Sequence, residues 1–347
     1  MIRFESDYLE GAHPRVLEKL TQTNFEQTPG YGVDTHCERA RELIKKACEA
    51  PDASVHFLVG GTQTNTTVIA SLLKPYEGVL APVSGHINVH ETGSVEATGH
   101  KVLGLESDDG KITAKQIDDA YTAHINDSTH EHMVKPALVY ISQPTENGTL
   151  YTKSELEAIR CVCDKNSLLL FVDGARCGYG LKSENNDVFL PDLARLCDVF
   201  YIGGTKVGAL FGEAIVFKNE ELARDFRYMI KRHGGMLAKG RLLGVQFEAL
   251  FEDGLYFEIS EYAMKLALKI KKTLCELNIP TLFDSPSNQQ FPILPNDIYK
   301  KLSEKYSFSF WCAPDSEHTA VRICTSWATT EENVDMLIAD LKREIAK

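Results

Sequence analysis

Apolar residues fall along this chain in two rhythms. Short unbroken runs, such as Val79 to Ala81, Pro136 to Ser142 and Ala214 to Phe217, alternate with stretches whose apolar positions recur every three or four residues. The first rhythm is that of strands buried in a sheet, the second that of amphipathic helices packed on it. Two of the runs end on a charged side chain. Leu168-Leu169-Leu170-Phe171-Val172 finishes on Asp173, and Val199-Phe200-Tyr201-Ile202 opens through Gly203-Gly204-Thr205 onto Lys206. Such runs suit a parallel sheet covered on both faces, and the carboxyl edge of such a sheet is where ligands bind.

The rest of the pattern is a wound α/β succession. An amphipathic helix is expected from Arg15 to Leu20, and Pro29-Gly30-Tyr31-Gly32 reads as a loop. Thr35 and Glu38 have the spacing of a capping box, which predicts a helix from about 36 to 49. A strand from Val55 to Val59 leads through a turn, Gly60 to Asn65, into a helix from Thr66 to Leu73. Further helices are expected near Val89 to Gly99, from Ala114 behind Thr113 and Gln116, and up to Lys165 behind Thr152 and Glu155. Others are expected at Leu190-Pro191, over Glu220 to Ile230 and over Gly240 to Phe251. Asp253-Gly254 marks a boundary between a large α/β domain, residues 15–253, and a smaller C-terminal α+β domain, residues 254–347, joined by the N-terminal segment 1–14. The smaller domain opens with a long helix, Tyr256 to Leu277, and holds short strands at Gln290 to Leu294, Phe308 to Trp311 and Val321 to Cys324.

Composition narrows the function classes. With 43% hydrophobic and 25% charged residues in 347, the chain has a soluble globular balance and the length for a large core. Its net charge of -12 argues against an extended surface for nucleic acid or an anionic membrane, which leaves small molecules and other copies of the chain as partners. No apolar run approaches the roughly 18 residues of a membrane span, and Met1 to Asp7 lacks a secretory pattern, so a cytoplasmic location is expected. Nine cysteines without framework spacing fit reduced thiols, and Cys161-Val162-Cys163 has no second pair or His cluster to complete a metal site.

A buried strand-end lysine with a depressed pKa forms an imine with an aldehyde, and a carboxylate across the crevice keeps a pyridine nitrogen protonated. Lys206 and Asp173 together therefore describe a site for pyridoxal 5'-phosphate; the alternative is a salt bridge at the sheet rim. The Gly60-Gly61-Thr62 turn offers free N–H groups and the positive end of a helix dipole to a phosphate, or is an ordinary strand-to-helix turn. It lacks the lysine of a P-loop and the third glycine of a dinucleotide fingerprint.

Taken in order, Tyr31-Gly32-Val33-Asp34, Gly60-Gly61-Thr62, His86-Ile87 with Glu91-Thr92-Gly93, Asp173 to Arg176, Gly203 to Lys206 and Arg322 to Trp327 resemble the fold-type I pyridoxal phosphate enzymes. Within them they resemble the threonine aldolase branch of the beta-eliminating lyases, over nearly the whole chain. The resemblance implies a mostly parallel wound sheet and a homodimer or homotetramer with shared active sites. It implies that Lys206 is the imine lysine, Asp173 the partner of the pyridine nitrogen and His86 the imidazole stacked on the ring. Gly61, Thr62 and Thr205 would then contact the phosphate. Ser6, Arg176 and Arg322 would hold a substrate carboxylate, Tyr31 would be the family's active-site tyrosine, and the basic segment around His233 would reach a neighbouring subunit.

The implied reaction is cleavage of L-threonine, L-allo-threonine or a related β-hydroxy-α-amino acid to glycine and an aldehyde, with His86 the leading base for the hydroxyl proton. Two positions depart from the family. His90 stands where an aromatic residue is expected, and Gln143 to Asn147 lacks the family's histidine. Elimination, transamination or racemisation on the same scaffold stays open, as does a non-catalytic cofactor-binding protein. Arg176 also reads as a surface arginine, His86 as a loop cap, and the basic segment as a solvated loop.

Overall fold

Alternation along the strands of one sheet decides where the core forms. The computed structural model describes residues 1–345. Its first eight strands are β1 (Ile2–Arg3), β2 (Ser54–Leu58), β3 (Glu77–Pro82), β4 (Val102–Leu105), β5 (Lys135–Ser142), β6 (Leu169–Asp173), β7 (Val199–Gly203) and β8 (Glu213–Phe217). Seven of them form the central sheet in the order β2-β8-β7-β6-β5-β3-β4. β8 runs antiparallel to both of its neighbours and the other pairs are parallel. Val139, Ile141, Leu170, Val172, Phe200 and Ile202 enter one apolar core, while Leu138, Tyr140, Phe171, Val199 and Tyr201 enter the other. Both faces are thus covered, which is why these strands read as unbroken apolar runs.

A third core holds Phe4, Ile270, Leu294, Val321, Ile323 and Leu337. The helix Leu255–Glu276 links two of the cores: Tyr256, Ile259 and Ala263 pack in the first, and Leu266, Ile270 and Leu274 in the third. β1 pairs in parallel with the strand Tyr306–Ser307, so the amino terminus is stitched to residues some three hundred positions away and lies against the third core. No helix among the described residues is long and apolar enough to cross a membrane.

Four local expectations are corrected. The second helix, α2 (Thr35–Ala47), follows α1 (Pro14–Gln22) and is capped by Asp34, whose carboxylate accepts from the Cys37 N–H at 2.9 Å; Thr35 is already helical, so the Thr35 and Glu38 box does not form. The glycine turn after β2 is shorter than its composition implies, because α3 (Gly61–Leu72) begins at the second glycine. Between Val89 and Gly99 no continuous helix forms. Single turns at His86–Val89 and Glu96–Thr98 are separated by Thr92 and Gly93, both with positive φ. The helix expected from Glu220 starts at Phe226 and runs to Arg232.

Candidate active site

β6 and β7 end side by side, and tight backbone contacts there demand glycine. A Cβ on Gly174 would lie 1.8 Å from the Tyr201 carbonyl oxygen, and one on Gly203 would lie 2.3 Å from that of Ala175. The two strand ends therefore close on one another and present Asp173 and Lys206 to a common crevice. Two adjoining cavities, of about 320 and 470 Å³, open there and share Tyr8, His86, Glu146, Arg176 and Lys206. The inner one is lined by Gly60, Gly61, Thr62, Asp173, Thr205 and Glu213, the outer one by His90, Phe310, Trp311 and Arg322.

Asp173 is buried, and each of its oxygens takes two hydrogen bonds. Oδ2 accepts from Tyr140 at 2.6 Å and from Asn65 at 3.1 Å, and Oδ1 accepts from the Tyr201 hydroxyl and from the Ala175 N–H at 3.0 Å. Burial alone would raise its pKa; the positive charge at His86 and the tyrosine and backbone donors outweigh that and hold the carboxyl below its ordinary value. A buried carboxylate whose pKa is held down suits a protonated pyridine nitrogen. Lys206 is the converse case. Desolvation and the nearby Arg176 charge lower its pKa against the pull of Asp7, Asp173 and Glu213. It forms no ion pair among the described residues, and its Nζ lies 5.9 Å from the centroid of the Tyr8 ring. Asp173 and Lys206 are thus not the rim salt bridge that was the alternative reading.

His86 Nδ1 lies 2.7 Å from Glu91 Oε1. Burial opposes a charge on the ring, yet the Glu91 bond together with Asp173 raises its pKa. Asn65 donates to both Glu91 Oε1, at 2.8 Å, and Asp173, so one amide ties the two carboxylates together. Thr92 and Gly93, both with positive φ, follow Glu91 directly, and the Glu91 carboxylate reaches both His86 and Asn65.

The inner cavity fits the phosphate end of a cofactor. Gly60 gives α3 no side-chain cap, so the N–H groups of its first turn are left uncapped beside Gly61 and Thr62. Thr205 Oγ1 donates to Glu213 Oε1 at 2.9 Å and accepts from the Gly212 N–H at 3.0 Å. Glu213 is buried, and burial pushes its carboxyl up to about 8, so near neutrality it places no full charge against a phosphate. Sequence reasoning missed Glu213 because it opens a strand read only from Ala214 onward.

The substrate-side residues are less uniformly placed. Arg176 is buried and gives Nε and Nη2 to Asp7, at 2.7 and 3.0 Å, leaving Nη1 outside the pair. Arg322 donates to Gln289 Oε1 at 3.3 Å and to the Glu5 carbonyl at 3.0 Å, while its buried Nε has no partner and its guanidinium lies 5.8 Å from the Trp311 ring centroid. Ser6 is not among the cavity-lining residues, and its buried hydroxyl is unpartnered. Tyr31 is half exposed, with positive φ, in a different depression, where Lys231 Nζ lies 5.3 Å from its ring centroid; one chain alone does not bring it to Lys206. Tyr8, Asn65 and Glu146 are contributions that the residue patterns did not single out, and Glu91 stood in a matching motif without a role assigned to it. Among the described residues no group of three or more His, Cys, Asp or Glu is placed to hold a metal ion.

Residues 4–327 match the beta-eliminating lyase family. A low specificity L-threonine aldolase of Pseudomonas sp. (strain NCIMB 10558) is 30% identical, over 98% of this chain and 97% of that one. The solved structure of Leishmania major threonine aldolase superposes with a TM-score of 0.96 at 45% identity, covering 99% of this chain and 100% of the other. A Thermus thermophilus aspartate aminotransferase shares the fold alone, with a TM-score of 0.71 at 15% identity over 99% of this chain and 91% of that one. The fold is that of the fold-type I pyridoxal phosphate enzymes, and the chain belongs to the beta-eliminating lyase family, in its threonine aldolase branch.

Proposed function

We propose that this chain is a pyridoxal phosphate-dependent aldolase that cleaves L-threonine, L-allo-threonine or a related β-hydroxy-α-amino acid into glycine and an aldehyde. The observation that carries the reading is the pair of joined cavities, with the ionised Asp173 and Lys206, whose pKa burial lowers, on the inner side and Arg322 on the outer side. Its relatives' names support the same chemistry. Lys206 would hold the cofactor covalently, Asp173 its ring nitrogen, His86 its ring face, and Gly61, Thr62 and Thr205 its phosphate. When bound, pyridoxal phosphate supplies the electron sink that lets a bond to Cα break.

The chain's own residues decide which bond that is. Arg322 receives the substrate carboxylate through its unpartnered Nε, and Arg176, fixed by Asp7, adds positive potential beside it. Anchoring the carboxylate there sets the rotation about Cα and so the bond that stands ready for cleavage. Phe310 and Trp311 line the outer cavity, where the aldehyde part of the substrate belongs. The active assembly is a homo-oligomer, with Tyr31 and the Lys231 to His233 segment serving a neighbouring subunit; their exposure away from their own Lys206 supports this.

Incubation with L-threonine and L-allo-threonine, measuring acetaldehyde, 2-oxobutanoate and ammonia together, tests the function. Acetaldehyde is the expected product. 2-Oxobutanoate with ammonia would assign the site to elimination instead.

A further inference from the structure

We infer that Glu146 is the catalytic residue that takes the proton of the substrate's β-hydroxyl, a role that rests on the aldol-cleavage reading above. Cleavage requires a proton acceptor on the hydroxyl side of the junction between the two cavities, and five side chains line both of them: Tyr8, His86, Glu146, Arg176 and Lys206. Arg176 has no lone pair to offer and is committed to Asp7. Lys206 is assigned to the cofactor. His86 has its Nδ1 against Glu91, and a histidine stabilised in its charged form is a poor acceptor. Tyr8 is more than half exposed, and no hydrogen bond among the described residues fixes its hydroxyl.

Glu146 differs from these. Its Oε1 is fixed by the Ser142 hydroxyl at 2.8 Å and by the His86 backbone N–H at 3.0 Å, which orients the carboxyl plane. Its Oε2 is buried and has no protein partner. An unpartnered buried carboxylate oxygen is costly, and a substrate hydroxyl arriving at the junction would satisfy it. Burial, and then the Asp173 charge, raise the Glu146 pKa against the Ser142 bond and the His86 charge, with Tyr140 and Arg176 also close. The carboxyl is thereby moved towards the range in which a base works near neutral pH.

The step balances without an oxidant or reductant. The hydroxyl O–H breaks with its proton passing to Oε2, and the electron pair left on oxygen forms the second bond of the aldehyde carbonyl. The Cα–Cβ bond breaks with its pair retained by the glycine fragment, a proton is delivered to Cα, and Glu146 later returns its own proton to solvent.

Glu146→Gln and Glu146→Asp test this in the cofactor-loaded enzyme through two reactions. Threonine cleavage needs the hydroxyl proton acceptor, whereas exchange of the glycine α-proton with deuterated water, followed by NMR, does not. The expected result for E146Q is cleavage lowered roughly 100-fold or more, glycine exchange and glycine affinity within a few-fold of wild type, and loss of the rising limb in kcat/KM with pH; E146D should recover part of the rate. Cleavage within a few-fold of wild type, or cleavage and exchange lost in parallel, would overturn the assignment, the second by making Glu146 a support for the His86 loop. A wild-type chain that released no aldehyde would remove the aldolase reading and this role together, whereas equal cleavage by wild type and E146Q would remove only the role.

Discussion

Asp7 grips Arg176 through both of its oxygens, at 2.7 Å from Nε and 3.0 Å from Nη2, across 169 positions of sequence. Asn288 adds a third bond to the same carboxylate at 2.9 Å. The amino-terminal segment is therefore part of the site's construction: Glu5 meets Arg322, Asp7 meets Arg176, and Tyr8 lies beside Lys206. Removing one member of a buried pair strands the other charge, so Asp7→Ala should cost about 3–5 kcal/mol in chemical denaturation. Burial would raise the Asp7 carboxyl, but Arg176 holds it well below its ordinary 3.8; the pair's contribution is present above that value and is lost as pH falls through the depressed one.

Glu91 sets the charge of His86. Glu91→Gln removes the carboxylate that raises the imidazole pKa while keeping an oxygen for the bond, so the His86 resonance in an NMR titration should shift its midpoint to lower pH. Asn65, which bridges Glu91 to Asp173, should show perturbed side-chain amide signals in the same variant. An unchanged midpoint would mean that another group, such as Asp173, holds the charge.

Arg322→Lys keeps a positive charge but loses the planar fork and its unpartnered Nε. KM for the amino acid should rise roughly 10-fold or more with a smaller change in kcat, since each tenfold corresponds to about 1.4 kcal/mol of binding. Steady-state kinetics at saturating cofactor would check this, and unchanged constants would return Arg322 to its bonds with Glu5 and Gln289.

Glu213 gives a pH signature in stability. In the fold, burial lifts its carboxyl to about 8 from an ordinary 4.5, so between those values the native state holds more protons than the unfolded one and stability falls as pH rises. Glu213→Gln removes that titration. Thermal melting of the unloaded protein at pH 5 and pH 8.5 should show wild type losing ground to E213Q across the interval.

The strands that carry the chemistry were legible because burial on both faces leaves little room for polar residues, so Asp173 and Lys206 stand out at the ends of apolar runs. The capping boxes at Thr113 with Gln116 and at Thr152 with Glu155 form as their spacing predicts. Asp34 displaced Thr35 because two capping side chains stood next to each other and the carboxylate reached Cys37 first in the helical frame. The network around the site was not legible. Glu91 bonds Asn65 across 26 positions, Asn65 bonds Asp173 across 108, and Asn288 bonds Asp7 across 281, distances at which periodicity carries no information. Glu146 lay in a segment noted only for lacking a histidine, and its significance comes from an oxygen without a partner, which only packing reveals.

Aldol cleavage breaks the bond from Cα to Cβ and leaves the Cα–H bond intact. Running the reaction of L-threonine in deuterated water and following it by NMR at early conversion tests that bond directly, because the position vacated by Cβ is filled by a proton from the site. The expected products are glycine carrying one deuteron at Cα, one acetaldehyde for each glycine, and recovered threonine without deuterium. Threonine labelled at Cα, or 2-oxobutanoate formed in place of glycine, would show that the Cα–H bond is the one this site breaks and would contradict aldol cleavage.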